Sequence, residues 1–144
     1  HLIEDWADTT FASQVRAVLL QAALFDQSLR LALIKEQFSD SFRKIINYLP
    51  FSMINNFNQI FDKREFKELA ETLQKVSSLI ESNSWLVGNQ ITNADLALAA
   101  QLSFLLFPSS SGTVLAGKGV PGFGDNPCLQ NLFRWRDYIE LEIL

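Results

Sequence analysis

The stretch GNQITNADLALAAQLSF, residues 88–104, decides the fold of this chain. A short polar group, Ile91-Thr92-Asn93-Ala94-Asp95, runs straight into a segment that is apolar on nearly every side. Thr92 is a good helix N-cap. Its hydroxyl is placed to accept from the Asp95 amide, and the Asp95 carboxylate to reach back to the Thr92 amide. That carboxylate also sits at the positive end of the helix dipole. Ile91, just before the cap, and Leu96, at the fourth helical position, are placed to form the hydrophobic staple that sets the angle at which the chain joins the helix. Behind them only Gln101 and Ser103 are polar before Phe107. A helix apolar all round is a buried, central one, and Ala94, Ala97, Ala99 and Ala100 let neighbouring helices approach closely. The polar residues of this stretch therefore start a helix and carry no reaction.

Outward from this segment the periodicity is helical throughout, and no run alternates as a half-buried strand does. Residues 63–83 carry Phe66, Leu69, Ala70, Leu73, Val76 and Ile80 at three- and four-residue spacings. Lys67 to Glu71 and Glu71 to Lys75 form charge pairs on the opposite side of this amphipathic surface helix. The connector NSWLVGN should be buried and fixed, with Gly88 at a positive φ. Residues 3–35 read as one long or broken helix, interrupted at Asp26 or Ser28, with Ile3, Trp6, Val15, Leu19 and Ala22 near a common face. Ser39 can cap a short helix ending at Leu49 before Pro50, and FSMINNFNQIFD, residues 51–62, fits either a further short helix or a loop. After Phe107, PSSSGTVLAGKGVPGFGDN holds five of the six glycines and reads as a long loop without regular structure. Helix resumes at Asn126, an N-cap followed by Pro127, with Leu129, Leu132, Phe133 and Ile139 facing the core. The class is all-α, in one domain spanning residues 1–144.

Composition narrows the chemistry. A formal net charge of −4, with Lys and Arg scattered among Asp and Glu, provides no basic stripe for nucleic acid. No apolar run reaches the roughly 18–20 residues that span a bilayer, and no signal-peptide pattern occurs, so a cytoplasmic setting is expected. One Cys and one His cannot build a Cys/His zinc site, and one Cys cannot form an internal disulfide. No metal site and no catalytic residue are therefore assigned.

Several motifs invite a functional reading. Gly117-Lys118-Gly119-Val120-Pro121-Gly122 matches G-x-G-x-x-G, and residues 112–119 approach a phosphate-binding loop with Gly119 in the hydroxyl position. Both motifs need a strand before and a helix N-terminus after. Here a helix precedes and Pro121 interrupts, so a flexible connector explains the letters. Asp5 and Asp8 are explained equally by the dipole of a helix start. Cys128, in the first turn of the last helix, has no base near it in sequence. Trp6, Phe11 and Arg16 form the one candidate substrate site, an apolar wall with a cationic anchor, set against the commoner reading of core aromatics and a surface Arg.

The run LIESNSWLVGNQITNADLALA, the opening LIEDWADTTF and the late helix NPCLQNLFRWRDYI together resemble the C-terminal, all-helical domain of the glutathione transferase family. The resemblance is specific over residues 63–108, while residues 26–62 match nothing in it. It implies a multi-helix orthogonal bundle in which Thr92 and Asp95 form the N-capping box, a folding determinant. It also implies a missing N-terminal thioredoxin-like domain that holds glutathione and the activating residue. This chain would then bind no cofactor alone and be inactive by itself. It would supply the apolar co-substrate pocket and part of a homodimer interface for conjugating glutathione to electrophiles. The alternative is a non-catalytic protein-interaction module with the same fold.

Overall fold

The computed structural model describes residues 2–35 and 63–143; the expected helix from Ser39 to Leu49 and residues 51–62 lie outside them, as does His1. The described chain is helical, and its only β pairing is an isolated antiparallel bridge between Leu106 and Gly119. Helix α1, Leu2–Trp6, runs into a π-helical segment, Ala7–Phe11, and then α2, Ala12–Phe25. The π turn re-aims the helix face relative to an unbroken α-helix, and Ala7, Phe11, Ala12 and Val15 are all buried to 1% exposure or less.

Helix α2 ends at Asp26, whose backbone is extended (φ −118°, ψ 102°). The same residue starts α3, Gln27–Lys35, because its carboxylate accepts from the Leu29 amide at 3.1 Å. Arg30 reaches back to the Ala23 carbonyl at 3.1 Å, satisfying an acceptor left open where α2 stops. Of the two break points the sequence allows, Asp26 is the one used.

Helix α4 covers Lys63–Asn83. Leu69 and Leu73 are fully buried and Ile80 nearly so, each fully buried Leu contributing about 1.5–3 kcal/mol. On the exposed side Arg64 pairs with Glu68 at 3.2 Å and Lys67 with Glu71 at 4.0 Å. The expected Glu71–Lys75 pair is not formed among the described residues; Lys75 lines a groove instead.

Helix α5, Asn93–Leu105, is the centre of the bundle, with ten of its thirteen residues buried. It packs against α1, the π segment, α2 and the last helix, α6, Gln130–Ile143. A short 3₁₀ turn, Pro127–Leu129, precedes α6, and Asn126 caps it by accepting from the Cys128 amide at 2.9 Å. Leu129, Leu132, Phe133 and Ile139 are buried as their spacing predicts.

The glycine-rich segment departs from expectation. It is a folded strap and not an irregular loop: Phe107 donates to the Lys118 carbonyl at 2.8 Å, Gly117 to the Phe107 carbonyl at 3.0 Å, and Val120 to the Leu105 carbonyl at 2.9 Å. Leu115, Val120 and Phe123 enter the core, and the Phe123 ring lies 4.5 Å from that of Phe66 on α4. Glycine is required here for proximity. A Cβ on Gly119 would lie 2.6 Å from the Leu105 carbonyl oxygen. Among the described residues no helix is long and apolar enough to cross a membrane.

Candidate functional site

The polar residues that open α5 are held in a buried cluster. Asp95 is fully buried, and its Oδ2 accepts from both the Thr92 amide and the Thr92 hydroxyl at 2.8 Å. The reciprocal capping box with Thr92 is present, Thr92 having extended geometry (φ −129°, ψ 172°). Oδ1 is engaged as well, accepting from the Leu86 amide at 2.9 Å. With both oxygens accepting from protein donors, three in all, Asp95 serves as a structural acceptor. Leu96 packs against the core while Ile91 stays 36% exposed.

The connector is buried only in its apolar half. Leu86 is 7% exposed and Gly88 has φ +69°, but residues 88–90 face solvent. The polar letters of Gly88, Asn89 and Gln90 have no core to enter once Trp85, Leu86 and Val87 have packed.

A groove of about 300 Å³ opens beside this connector, lined by Ile3 and Trp6 from α1, Thr72, Lys75, Val76 and Leu79 from α4, and Leu86. Trp6 stacks on Phe11 with ring centroids 4.9 Å apart and planes 12° from parallel. Phe11 has no exposed surface, so it acts from beneath, fixing the pitch of the indole that forms the wall. The π segment joins the two rings, since it begins directly after Trp6 and ends at Phe11. Arg16 is half-buried on α2 and is not among the residues lining the groove. Of the three candidates in the sequence, the structure therefore brings Trp6 and Phe11 together and leaves Arg16 apart.

The groove's chemistry is that of a binding surface. Lys75 is the only charged residue among the described residues that line it. Thr72 already donates its hydroxyl to the Glu68 carbonyl at 2.9 Å. The described residues that line the groove include no carboxylate, thiol or imidazole to act as base or nucleophile. On the π segment, partial burial and then the neighbouring Glu4 and Asp5 raise the Asp8 carboxyl above the usual range. Cys128 is exposed, on the 3₁₀ turn before α6. No metal-binding group of His, Cys, Asp and Glu forms among the described residues.

The glycine motifs line a smaller cavity of about 200 Å³ between Leu106 and the strap, which Asp125 also lines. A carboxylate at that position opposes a phosphate, and the helix preceding the strap supplies no N-terminus to receive one.

Two functional features of the packing escaped the sequence. Arg136 is almost fully buried and donates Nη1 to the Leu106 carbonyl and, at 3.4 Å, to that of Leu102, while Nη2 pairs with Asp137 at 2.8 Å. Burial lowers the Arg136 pKa, and Asp137 opposes that fall. Glu140, one turn on, is raised by burial, with the Ser110 hydroxyl and Arg136 pulling the other way. The partners of Arg136 on α5 lie 30 and 34 residues away along the chain, so no local spacing announces them.

A buried, capped central helix surrounded by α-helices, with an apolar groove beside it, defines an all-helical domain. The chain matches the family described as Glutathione S-transferase, C-terminal domain, over residues 22–114, and it belongs to that family. No curated protein and no solved structure matches it.

Proposed function

We propose that this domain is the C-terminal half of a glutathione transferase-like protein and contributes the apolar wall against which an electrophilic co-substrate is held. The family membership supports the reading, and the observation that carries it is the groove, where a rigid Trp6–Phe11 stack faces Val76, Leu79 and Leu86. Such a surface binds a flat apolar molecule by area and shape. It has nothing to ionise a thiol, so glutathione and its activating residue would reside on a thioredoxin-like N-terminal domain. By itself this chain binds no cofactor and conjugates nothing. The full protein works as a homodimer, and it resides in the cytoplasm, where an exposed free thiol such as Cys128 persists in reduced form.

The test is a fluorescence titration with chlorodinitrobenzene. Saturable quenching is expected, and Trp6→Leu should remove most of it while Arg16→Gln leaves it in place. Quenching that survives Trp6→Leu unchanged would move the site elsewhere. The second reading, a non-catalytic interaction module, is favoured by an exposed apolar face on α6, where Tyr138 and Leu141 stand in solvent.

A further inference from the structure

The groove beside the connector carries its charge on one wall. Ile3 and Trp6 of α1 face Thr72, Lys75, Val76 and Leu79 of α4 across it. The polar atoms that these side chains own are the Trp6 indole N–H, the Thr72 hydroxyl and the Lys75 ammonium. The Thr72 proton is given to the Glu68 carbonyl at 2.9 Å. The charged donor among the described lining is therefore Lys75 alone.

The nearby carboxylates leave that charge to the groove. Glu71, one turn before Lys75 and spaced to pair with it, lies 4.0 Å from Lys67 instead, and Glu68 pairs with Arg64 at 3.2 Å. On the other side Glu4, Asp5 and Asp8 sit on α1 and the π segment, outside the lining. They make that side unfavourable to a negative charge, so an anionic group entering the groove seats against the α4 wall. The long Lys75 stem lies along the apolar surface while its head stays wet, since the residue as a whole is exposed.

Shape and charge count narrow the ligand further. The Trp6 indole is held 12° from parallel with the Phe11 ring beneath it, a flat and pre-set wall. The groove volume of about 300 Å³ is at the small end of ligand sites and suits one or two fused rings. One ammonium among apolar neighbours balances one negative charge. A dianion such as a phosphate monoester would bring a second charge with no partner.

We propose that the co-substrate held here is a flat aromatic monoanion, a ring system bearing one carboxylate that reaches Lys75 while the ring lies along Trp6. The proposal rests on the reading of this groove as the co-substrate site and adds its selectivity. The ring supplies affinity through buried area, and Lys75 chooses among rings of the same shape by their charge.

The experiment is an NMR titration of the isotope-labelled chain with three naphthalenes of matched shape: naphthoate, the neutral naphthamide and the cationic naphthylmethylammonium. All three are expected to shift the Trp6 indole and the Val76 and Leu79 methyls. Naphthoate should bind about fivefold more tightly than naphthamide, the upper end for an exposed ion pair, and the cation most weakly. Lys75→Met, which keeps the apolar stem, should bring naphthoate down to the naphthamide level and leave naphthamide where it was; Lys75→Arg should keep the preference. On the unaltered chain, added salt should erase most of the difference. Equal affinity of naphthoate and naphthamide, a preference indifferent to salt, or one that survives Lys75→Met would overturn the charge assignment while leaving the groove as the site. Titrations in which no ligand moves a groove signal would overturn this proposal and the co-substrate reading together.

Discussion

The two ends of α5 are closed by opposite charges in opposite ways. At the N-terminus a buried carboxylate, Asp95, collects the Thr92 and Leu86 amides. At the C-terminus a buried guanidinium, Arg136, supplies donors to the Leu102 and Leu106 carbonyls. Each charge complements the helix dipole at its own end and satisfies a backbone group there, the Thr92 amide at one end and the Leu106 carbonyl at the other. The difference is one of distance along the chain. Asp95 lies three residues from its cap partner, whereas Arg136 lies a whole strap away. A buried helix needs both ends closed, but only the local closure leaves a pattern in neighbouring letters.

The largest effect is expected from Asp95→Ala, which strands three donors in the core and should cost about 3 kcal/mol. Thermal unfolding will read this directly. A loss below about 0.5 kcal/mol, the level of an ordinary surface substitution, would mean that the box is not a folding determinant. Arg136→Met keeps apolar volume but takes from the Leu106 carbonyl, at the C-cap of α5, its guanidinium donor, and should cost about 2 kcal/mol. Urea unfolding with an unchanged slope is the check, and a cost equal to that of Asp95→Ala would make the two ends equivalent.

The strap lies between these magnitudes and a neutral change. Gly119→Ala forces a Cβ onto the Leu105 carbonyl oxygen and should cost about 1–2 kcal/mol. Faster hydrogen exchange at the Val120 amide, which that same carbonyl holds, is the local signature.

The smallest effect has the opposite sign. Because the folded Glu140 carboxyl holds its proton more tightly than the unfolded one, its contribution to stability is full below the unfolded pKa. That contribution is lost as pH rises through the folded value. Glu140→Gln should therefore match the parent near pH 4 and become the more stable of the two as pH rises toward neutrality. A variant less stable than the parent at pH 7 would show that the ionised carboxylate is a net contributor through Arg136 and Ser110.

This comparison also explains what could be read in advance. The capping box, the amphipathic α4, a break at Asp26 or Ser28 and the buried α5 all follow from residues within a turn or two of one another, so periodicity and capping chemistry exposed them. The strap did not follow. Its glycines have the same letters as a flexible connector, and only the approach of residues 119 and 124 to the Leu105 carbonyl distinguishes a folded segment from a loose one. The groove was half legible: Trp6 and Phe11 stand out as aromatics, but Lys75, Leu79 and Leu86 come from elements far along the chain. Arg16 stands in the sequence as a cation near the aromatics, yet of the three only Trp6 lines the groove, with Phe11 stacked beneath it.

The central claim is that this domain supplies a surface for a co-substrate and leaves glutathione to another domain. Calorimetric titration of the chain with reduced glutathione tests it most directly. The account predicts no saturable heat, with no change in melting temperature at any glutathione concentration. Stoichiometric, saturable binding accompanied by thermal stabilisation would contradict it.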